Sequence, residues 1–397
     1  MDIDHATPLL GGLTARTFMR RHWQKKPLLV RGAIDPVDCA LDPAALFELA
    51  RRDDVRSRLI VRRDAGWTLR HGPVGRRALP PRRRPGWTLL VQGLDRERAD
   101  LHALLARFRF VPQARLDDVM VSYASDQGGV GPHVDSYDVF LIQLQGQRRW
   151  RIGRVTDPAL VADVPLKILR HFEPESEWLL EPGDLLYLPP RWAHDGVAQG
   201  ECLTASIGFR APQGEALARE VMQRMLDAAD DAQVQADDVD AGAMSRERDL
   251  YRDPDQDASL RPGRIPAALD RYARDALRRL AADPRAAACA LGELLSEPAP
   301  EAVFRDASSA DAAAGVQLDR STRMLYDRWH VYINGVSFLA GGSDAALMRR
   351  LADRTRLSGT EVAALDGPAR ELLDEWLADG WLQPLPTPVT PVARSPI

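Results

Sequence analysis

Between Leu116 and Arg210 the apolar positions come in short alternating or β-branched runs, such as Val119-Met120-Val121-Ser122 and Leu185-Leu186-Tyr187-Leu188, punctuated by glycine and proline. That pattern predicts an antiparallel barrel or jelly roll. Upstream, residues 14–110 mix the two periods. Thr14 can cap a helix running to Trp23, Asp42 to Arg52 reads as a second helix with Pro43 in its first turn, and Pro27–Gly32 and Trp87–Gln92 read as strands. After Pro212 the spacing becomes helical: Leu217, Val221, Met225 and Leu226 over Gly214–Ala229, then Leu269, Tyr272, Leu277 and Leu280 over Ala267–Ala282. The Asp-rich stretch Asp227–Asp257 between them has too few apolar residues to pack and reads as including a mobile loop. Pro298 and Pro300 open an Ala-rich linker reaching about Gln317. From Arg323 a strand pair around Trp329–Phe338, helices near Asp344–Arg354 and Pro368–Asp379, and a strand at Gly380–Leu382 together suggest a small winged-helix module. The predicted fold class is therefore mixed α+β.

At 397 residues the chain has room for two to three domains. No run approaches the ~20 apolar residues of a membrane span, and the first residues lack a signal pattern, so the expected location is the cytoplasm, with no membrane partner. Three scattered cysteines, Cys39, Cys202 and Cys289, exclude a disulfide framework and a thiolate zinc cluster. A metal would have to be held by histidine and carboxylate. The net charge of −4 excludes a uniformly basic nucleic-acid binder, yet residues 1–116 hold 23 Lys and Arg against 12 Asp and Glu. Solvated arginine-rich faces, a surface for an RNA-rich partner and a surface for the acidic C-terminal half of a partner subunit all stay open.

The chemistry concentrates in Gly128-Gly129-Val130-Gly131-Pro132-His133-Val134-Asp135. His133 and Asp135 are two apart, so on an extended strand both point to one side. A third ligand follows in Pro182-Gly183-Asp184, Leu185–Leu188, Pro189-Pro190 and His194: a turn, a buried strand and a bend that returns His194 to the barrel mouth. Two histidines and one carboxylate leave open positions and suit non-haem Fe(II) oxygen chemistry better than structural zinc. His5, His22, His71, His102, His171 and His330 read as surface or packing residues.

At these residues the sequence resembles the JmjC ribosomal oxygenases of the cupin superfamily, 2-oxoglutarate-dependent protein hydroxylases. Arg21-His22-Trp23-Gln24-Lys25-Lys26-Pro27, Tyr137-Asp138-Val139-Phe140 with Gly146-Gln147-Arg148-Arg149-Trp150, and Thr204–Arg210 are similar to segments of that family, although Thr204 stands where bacterial members often have asparagine. The resemblance implies a double-stranded β-helix core, Fe(II), 2-oxoglutarate and O2 as cofactor and cosubstrates, and hydroxylation of an arginine in protein sixteen of the large ribosomal subunit. The expected domains are a JmjC/cupin domain over 1–212, a helical region with a homodimer contact and linker over 213–317, and the winged-helix-like module over 318–397.

A carboxylate inside a barrel needs a paired cation. Arg148 shares parity with Trp150 and Ile152 on the apolar face, while Arg149 and Arg151 face out, so Arg148 is the candidate anchor for 2-oxoglutarate, with Lys167 in reserve. Asp118, Met120 and Ser122 share one face of the preceding strand. Ser122 could hydrogen-bond the cosubstrate carboxylate, and Thr204 and Ser206, on the last barrel strand, are further candidates for binding it. Asp118 could pair with a substrate guanidinium or merely cap a strand end, and the resemblance places the substrate arginine near Asp118, Met120 and Tyr137. Two further readings stay open: the same chemistry on a histidine or methyl-lysine, and a metal-binding cupin and winged-helix regulator without turnover. The acidic helix at Pro368–Asp379 speaks against direct DNA binding.

Overall fold

In the computed structural model, residues 2–63, 66–239, 250–254, 258, 261–308, 312–342 and 344–386 are described, with backbone alone at 230–239. Thr14 caps α1 (Ala15–Arg21) by accepting the Thr17 N–H at 3.0 Å, and Asp42 caps α2 (Pro43–Leu49) through the Ala44 N–H at 2.9 Å. Both helices end earlier than their apolar spacing suggests. Gln24, at φ 55°, turns the chain left-handed after α1, and α2 closes in tight turns from Arg51 to Glu48 and Arg52 to Leu49.

One ten-stranded sheet then builds the first unit, Met1–Ala211 with Pro300–Val303. Its strands are β1 (Leu28–Val30), β2 (Ser57–Arg63), β3 (Gly66–His71), β4 (Trp87–Val91), β5 (Leu116–Ala124), β6 (His133–Val134), β7 (Val139–Arg154), β8 (Ser176–Leu180), β9 (Leu185–Leu188) and β10 (Trp192–Phe209). The order is β1-β9-β7-β10-β5-β4-β2-β3, with β6 beside β10 and β8 beside β7. The short helices α3 (Leu94–Glu97) and α4 (Ala99–Ala106) bridge β4 and β5.

The ladder between β7 and β10 organises the rest. Residues 147–154 of β7 pair with the first half of β10, residues 139–145 with its second half, and the register shifts between Gln199 and Leu203. Gly146 sits at that bend with φ 63°, where a Cβ would meet Glu201 O at 2.1 Å. Two long bent strands thus serve both walls of a jelly roll. Phe18, Phe108, Phe140, Tyr187 and Phe209 fill one side of the core, Trp150, Ile152, Leu186 and Leu188 the other. Residues 21–27 are tied to the barrel by Gln24, whose N–H donates to Tyr187 Oη at 2.8 Å and whose amide donates to Asp138 at 3.0 Å.

The second unit comprises Pro212–Ala299 and Phe304–Ile397. Helix α5 (Gly214–Val239) runs through the first part of the Asp-rich stretch, because its alanines and glutamines are good helix formers. Most of the loop expected after it lies outside the described residues. Helices α6 (Ala267–Ala282) and α7 (Pro284–Ser296) follow, and α5 packs against α7. Two three-stranded sheets complete the unit: β11 (Gly315–Leu318) with β15 (Arg356–Ser358) and β16 (Leu382–Pro384), and β12 (Met324–Tyr326) with β13 (His330–Ile333) and β14 (Val336–Leu339). Helices α8 (Ala345–Arg354), α9 (Gly359–Ala363) and α10 (Gly367–Ala378) bury Leu351, Val362, Leu373 and Trp376 with Val316 and Ile333. Among the described residues no helix is long and apolar enough to cross a membrane.

Candidate functional site

His133 on β6 lies directly opposite His194 on β10, which in turn faces Ile152 on β7. Asp135 follows two residues after His133, and one ligand atom from each of His133, Asp135 and His194 lies within 4.8 Å of the others. His194 Nε2 is 3.7 Å from Asp135 Oδ2. Both imidazoles are oriented from behind: His133 Nδ1 meets Gly131 O at 2.9 Å and His194 Nδ1 meets Trp192 O at 3.1 Å. A carbonyl can only accept, so each Nδ1 donates and each Nε2 is the nitrogen left to face a metal. Burial, then His133, pushes the His194 pKa down to about 4, which keeps that ring neutral as a ligand requires. Three side chains of this kind could hold a divalent metal with open positions facing the cavity.

The cavity measures about 940 Å³ and is lined by these three residues, Arg148, Ser122 and Asp118 among others. Arg148 is 3% exposed, on the same face of β7 as Trp150 and Ile152. Its Nη1 donates to Ser122 Oγ at 3.0 Å and Thr204 Oγ1 at 3.3 Å, and its guanidinium lies 5.2 Å from the Trp150 ring. Arg148 Nε is buried without a hydrogen-bond partner, and no carboxylate pairs with Arg148 among the described residues. A buried, uncompensated cation at the edge of a polar cavity is set up for an anion. Ser206 lines the cavity opposite Met120 and Leu141. Lys167 also lines it but is solvent-exposed, which makes it the weaker anchor.

Asp118, Met120 and Tyr137 all reach the same cavity. Asp118 is half-buried and Oδ2 accepts the Gly93 N–H at 2.9 Å, so the strand-end role weighed from the sequence is present. The carboxylate nevertheless lines the cavity. Burial, then Asp117 and Asp95, pushes its pKa up to about 7. Tyr137 is held protonated by burial and the Asp135 charge. The structure also brings in groups that parity and motif had not singled out for the site. Trp150 lies 5.8 Å from the His194 ring, Gln143 accepts from Thr204 Oγ1 at 3.0 Å, and Arg58 enters from β2. The shared parity of Trp150 with Arg148 was the available signal for the first; nothing local marked Arg58.

Comparison with known proteins gives two matching family models, a JmjC domain over residues 103–217 and a ROXA-like winged helix over residues 278–383. A probable ribosomal oxygenase of Haemophilus influenzae is 39% identical over 208 residues, 50% of this chain and 50% of that protein. The ribosomal protein uL16 3-hydroxylase of Escherichia coli is 38% identical over 214 residues, 53% of this chain and 57% of that protein. The chain thus spans about half the length of the curated relatives it matches. By structure it resembles Escherichia coli YcfD, with a TM-score of 0.77 and 28% identity over 93% of this chain and 98% of that one. A structure of YcfD with cobalt and 2-oxoglutarate gives a TM-score of 0.72 at 29% identity, covering 93% and 98%.

Proposed function

We propose that the chain, which matches a JmjC domain over residues 103–217 and a ROXA-like winged helix over residues 278–383, is an Fe(II)- and 2-oxoglutarate-dependent protein hydroxylase. Its proposed substrate is an arginine of the large-subunit ribosomal protein uL16, the protein named for the Escherichia coli relative. The observation that carries the reading is Arg148: a buried guanidinium with an orphaned Nε, hydrogen-bonded to two hydroxyls and sharing a cavity with the His133, Asp135 and His194 cluster. A non-catalytic metal binder has no use for such a cation.

Iron held by His133, Asp135 and His194 would supply the oxidative decarboxylation of 2-oxoglutarate by O2, giving succinate, CO2 and one oxygen atom for a substrate C–H bond. The protein's part is placement. Gly131 and Trp192 carbonyls fix both imidazoles, so the ligands need no reorganisation. Arg148, Ser122 and Thr204 take the distal carboxylate of the cosubstrate, and Ser206 lines the same wall. Asp118 receives the substrate guanidinium, and Met120 and Tyr137 pack its stem, holding one side chain toward the open metal positions. The Asp118 carboxylate favours a cation over a histidine target.

A homodimer and a cytoplasmic location belong to the same reading. Met222 and Leu226 on α5 and Leu269 and Leu277 on α6 are exposed apolar residues in the helical region 213–317, which suits a contact between copies. Sedimentation of the full chain tests it, and a monomer at micromolar concentration removes it. For the chemistry, His133→Ala and Asp135→Ala are each expected to abolish substrate-coupled formation of succinate. Full coupled turnover in either variant would sink the metal assignment.

A further inference from the structure

Three arginines line the cavity: Arg56 is paired with Glu301, the cosubstrate accounts for Arg148, and Arg58 is left over. Arg58 on β2 lies directly opposite His71 and Leu90; Leu90 lies opposite Ser122, and Ser122 opposite Thr204. Directly opposed residues of antiparallel strands share a face, so Arg58 stands on the same wall as the hydroxyls that hold Arg148. Two strand spacings of ~4.8 Å separate β2 from β5, which puts the backbone of Arg58 about 10 Å from that of Ser122.

Arg58 is half-buried and its Nε is buried without a hydrogen-bond partner. Its Nη2 lies 3.9 Å from Met120 Sδ, a weak acceptor. No carboxylate pairs with it among the described residues. The other cations of the mouth differ: Arg56 is paired with Glu301, and Lys167 is open to water. Asp118 lies two residues from Met120 on the same face of β5, about 7 Å along the strand. The cavity therefore carries both a carboxylate, Asp118, and an uncompensated cation, Arg58, next to Met120.

A lone cation in a cavity that takes a cationic side chain would repel it unless the incoming chain also brings an acceptor. We propose that Arg58 binds the substrate chain itself, taking an acceptor oxygen next to the target residue, either a main-chain carbonyl or a flanking carboxylate, while Asp118 takes the guanidinium. This rests on the hydroxylase reading above. The two opposite charges set the direction in which the segment enters, which makes Arg58 a specificity residue. Its planar fork suits a fixed oxygen better than a lysine would.

The test uses the full chain with Fe(II), 2-oxoglutarate and a uL16 peptide containing the target arginine. Arg58→Met is expected to raise the peptide KM about tenfold or more while kcat changes by less than about twofold, the split expected of lost uniform binding. Arg58→Lys should recover part of the loss, and Arg58→Gln carries the same comparison if the methionine variant does not fold. Fluorescence anisotropy of the labelled peptide should give the same ranking without turnover. A peptide with its flanking acidic residues changed to amides separates the two oxygens: a persisting penalty assigns the carbonyl, a vanished one the carboxylate. Unchanged peptide KM and affinity in Arg58→Met, or a rise in the 2-oxoglutarate KM instead, overturns the proposal and leaves the hydroxylase reading standing. A wild-type enzyme that oxygenates no ribosomal protein removes both.

Discussion

Replacing Arg148 by methionine keeps an unbranched stem and removes the charge, and it should move stability and ligand binding in opposite directions. In the free protein the guanidinium is 3% exposed and lacks a partner for Nε. The hydroxyls it contacts keep other partners: Ser122 Oγ donates to Thr204 O at 3.3 Å, and Thr204 Oγ1 donates to Gln143 Oε1 at 3.0 Å. The substitution therefore deletes a buried unpaired charge without orphaning either hydroxyl, and the melting temperature without ligand is expected to hold or rise. With 2-oxoglutarate the sign reverses. Removing one partner of a buried ion pair costs ~3–5 kcal/mol, or about a hundredfold to a few thousandfold in Kd. At a ligand concentration ~100 times the wild-type Kd, binding stabilises the wild type by ~2.7 kcal/mol and the variant by ~0.4 kcal/mol or less. Differential scanning fluorimetry with and without 2-oxoglutarate, with Mn(II) present throughout, reads both effects. Arg149→Met is the control, because Arg149 faces out and pairs with Glu177. A ligand-induced shift in Arg148→Met equal to that of wild type, or a large loss of stability without ligand, would refute the reasoning.

Three further outcomes follow from the geometry. Asp118, pushed up to about 7, is protonated below that pH and ionised above it, and only the ionised form holds a cation, so kcat/KM for the protein substrate should fall about tenfold per pH unit below ~7 and level off above. Asp118→Asn should lower the plateau and flatten that limb, as a pH-rate profile would record. Gly196 lies opposite Trp150, and a Cβ there would meet the indole at 2.6 Å, so Gly196→Ala should displace the ring beneath Arg148, cost ~1–3 kcal/mol in denaturant unfolding and weaken 2-oxoglutarate binding. Tyr187→Phe removes the hydroxyl that donates to buried Asp138 at 2.6 Å and accepts the Gln24 N–H; a loss of ~2–3 kcal/mol is expected in urea titration, and a neutral result would contradict the tie between residues 21–27 and the barrel.

The convergence of His133, Asp135 and His194 was legible because its signals are local. Two ligands at strand parity and a third behind a Pro-Pro bend need only the period of a β-strand, and the same parity singled out Arg148 against Arg149. Arg58 shows where that reasoning stops. It lies 75 residues before His133 and reaches the cavity only because β2 joins the barrel sheet through β4, a pairing that no local pattern encodes. Helix ends were misjudged for a related reason. Trp23 continues the apolar spacing of α1, but Gln24 leaves helical backbone to bond Tyr187 and Asp138, far along the chain. At α5 the difference runs the other way: the apolar spacing ends near Ala229, whereas helix propensity carries the chain on to Val239, into the Asp-rich stretch. The winged-helix module was visible as helices beside a strand pair, whereas the short strands β15 and β16, paired to β11, depend on partners distant in sequence.

The central claim, that this chain oxygenates a ribosomal protein, is tested most directly by mass spectrometry. The full chain with Fe(II), 2-oxoglutarate and O2 would be incubated with purified large-subunit ribosomal proteins, with Asp135→Ala as control. The expected result is the gain of one oxygen atom on a single arginine of uL16, matched by one succinate, and absent with the variant. If no ribosomal protein gains oxygen while the metal and 2-oxoglutarate bind, the assigned substrate is wrong.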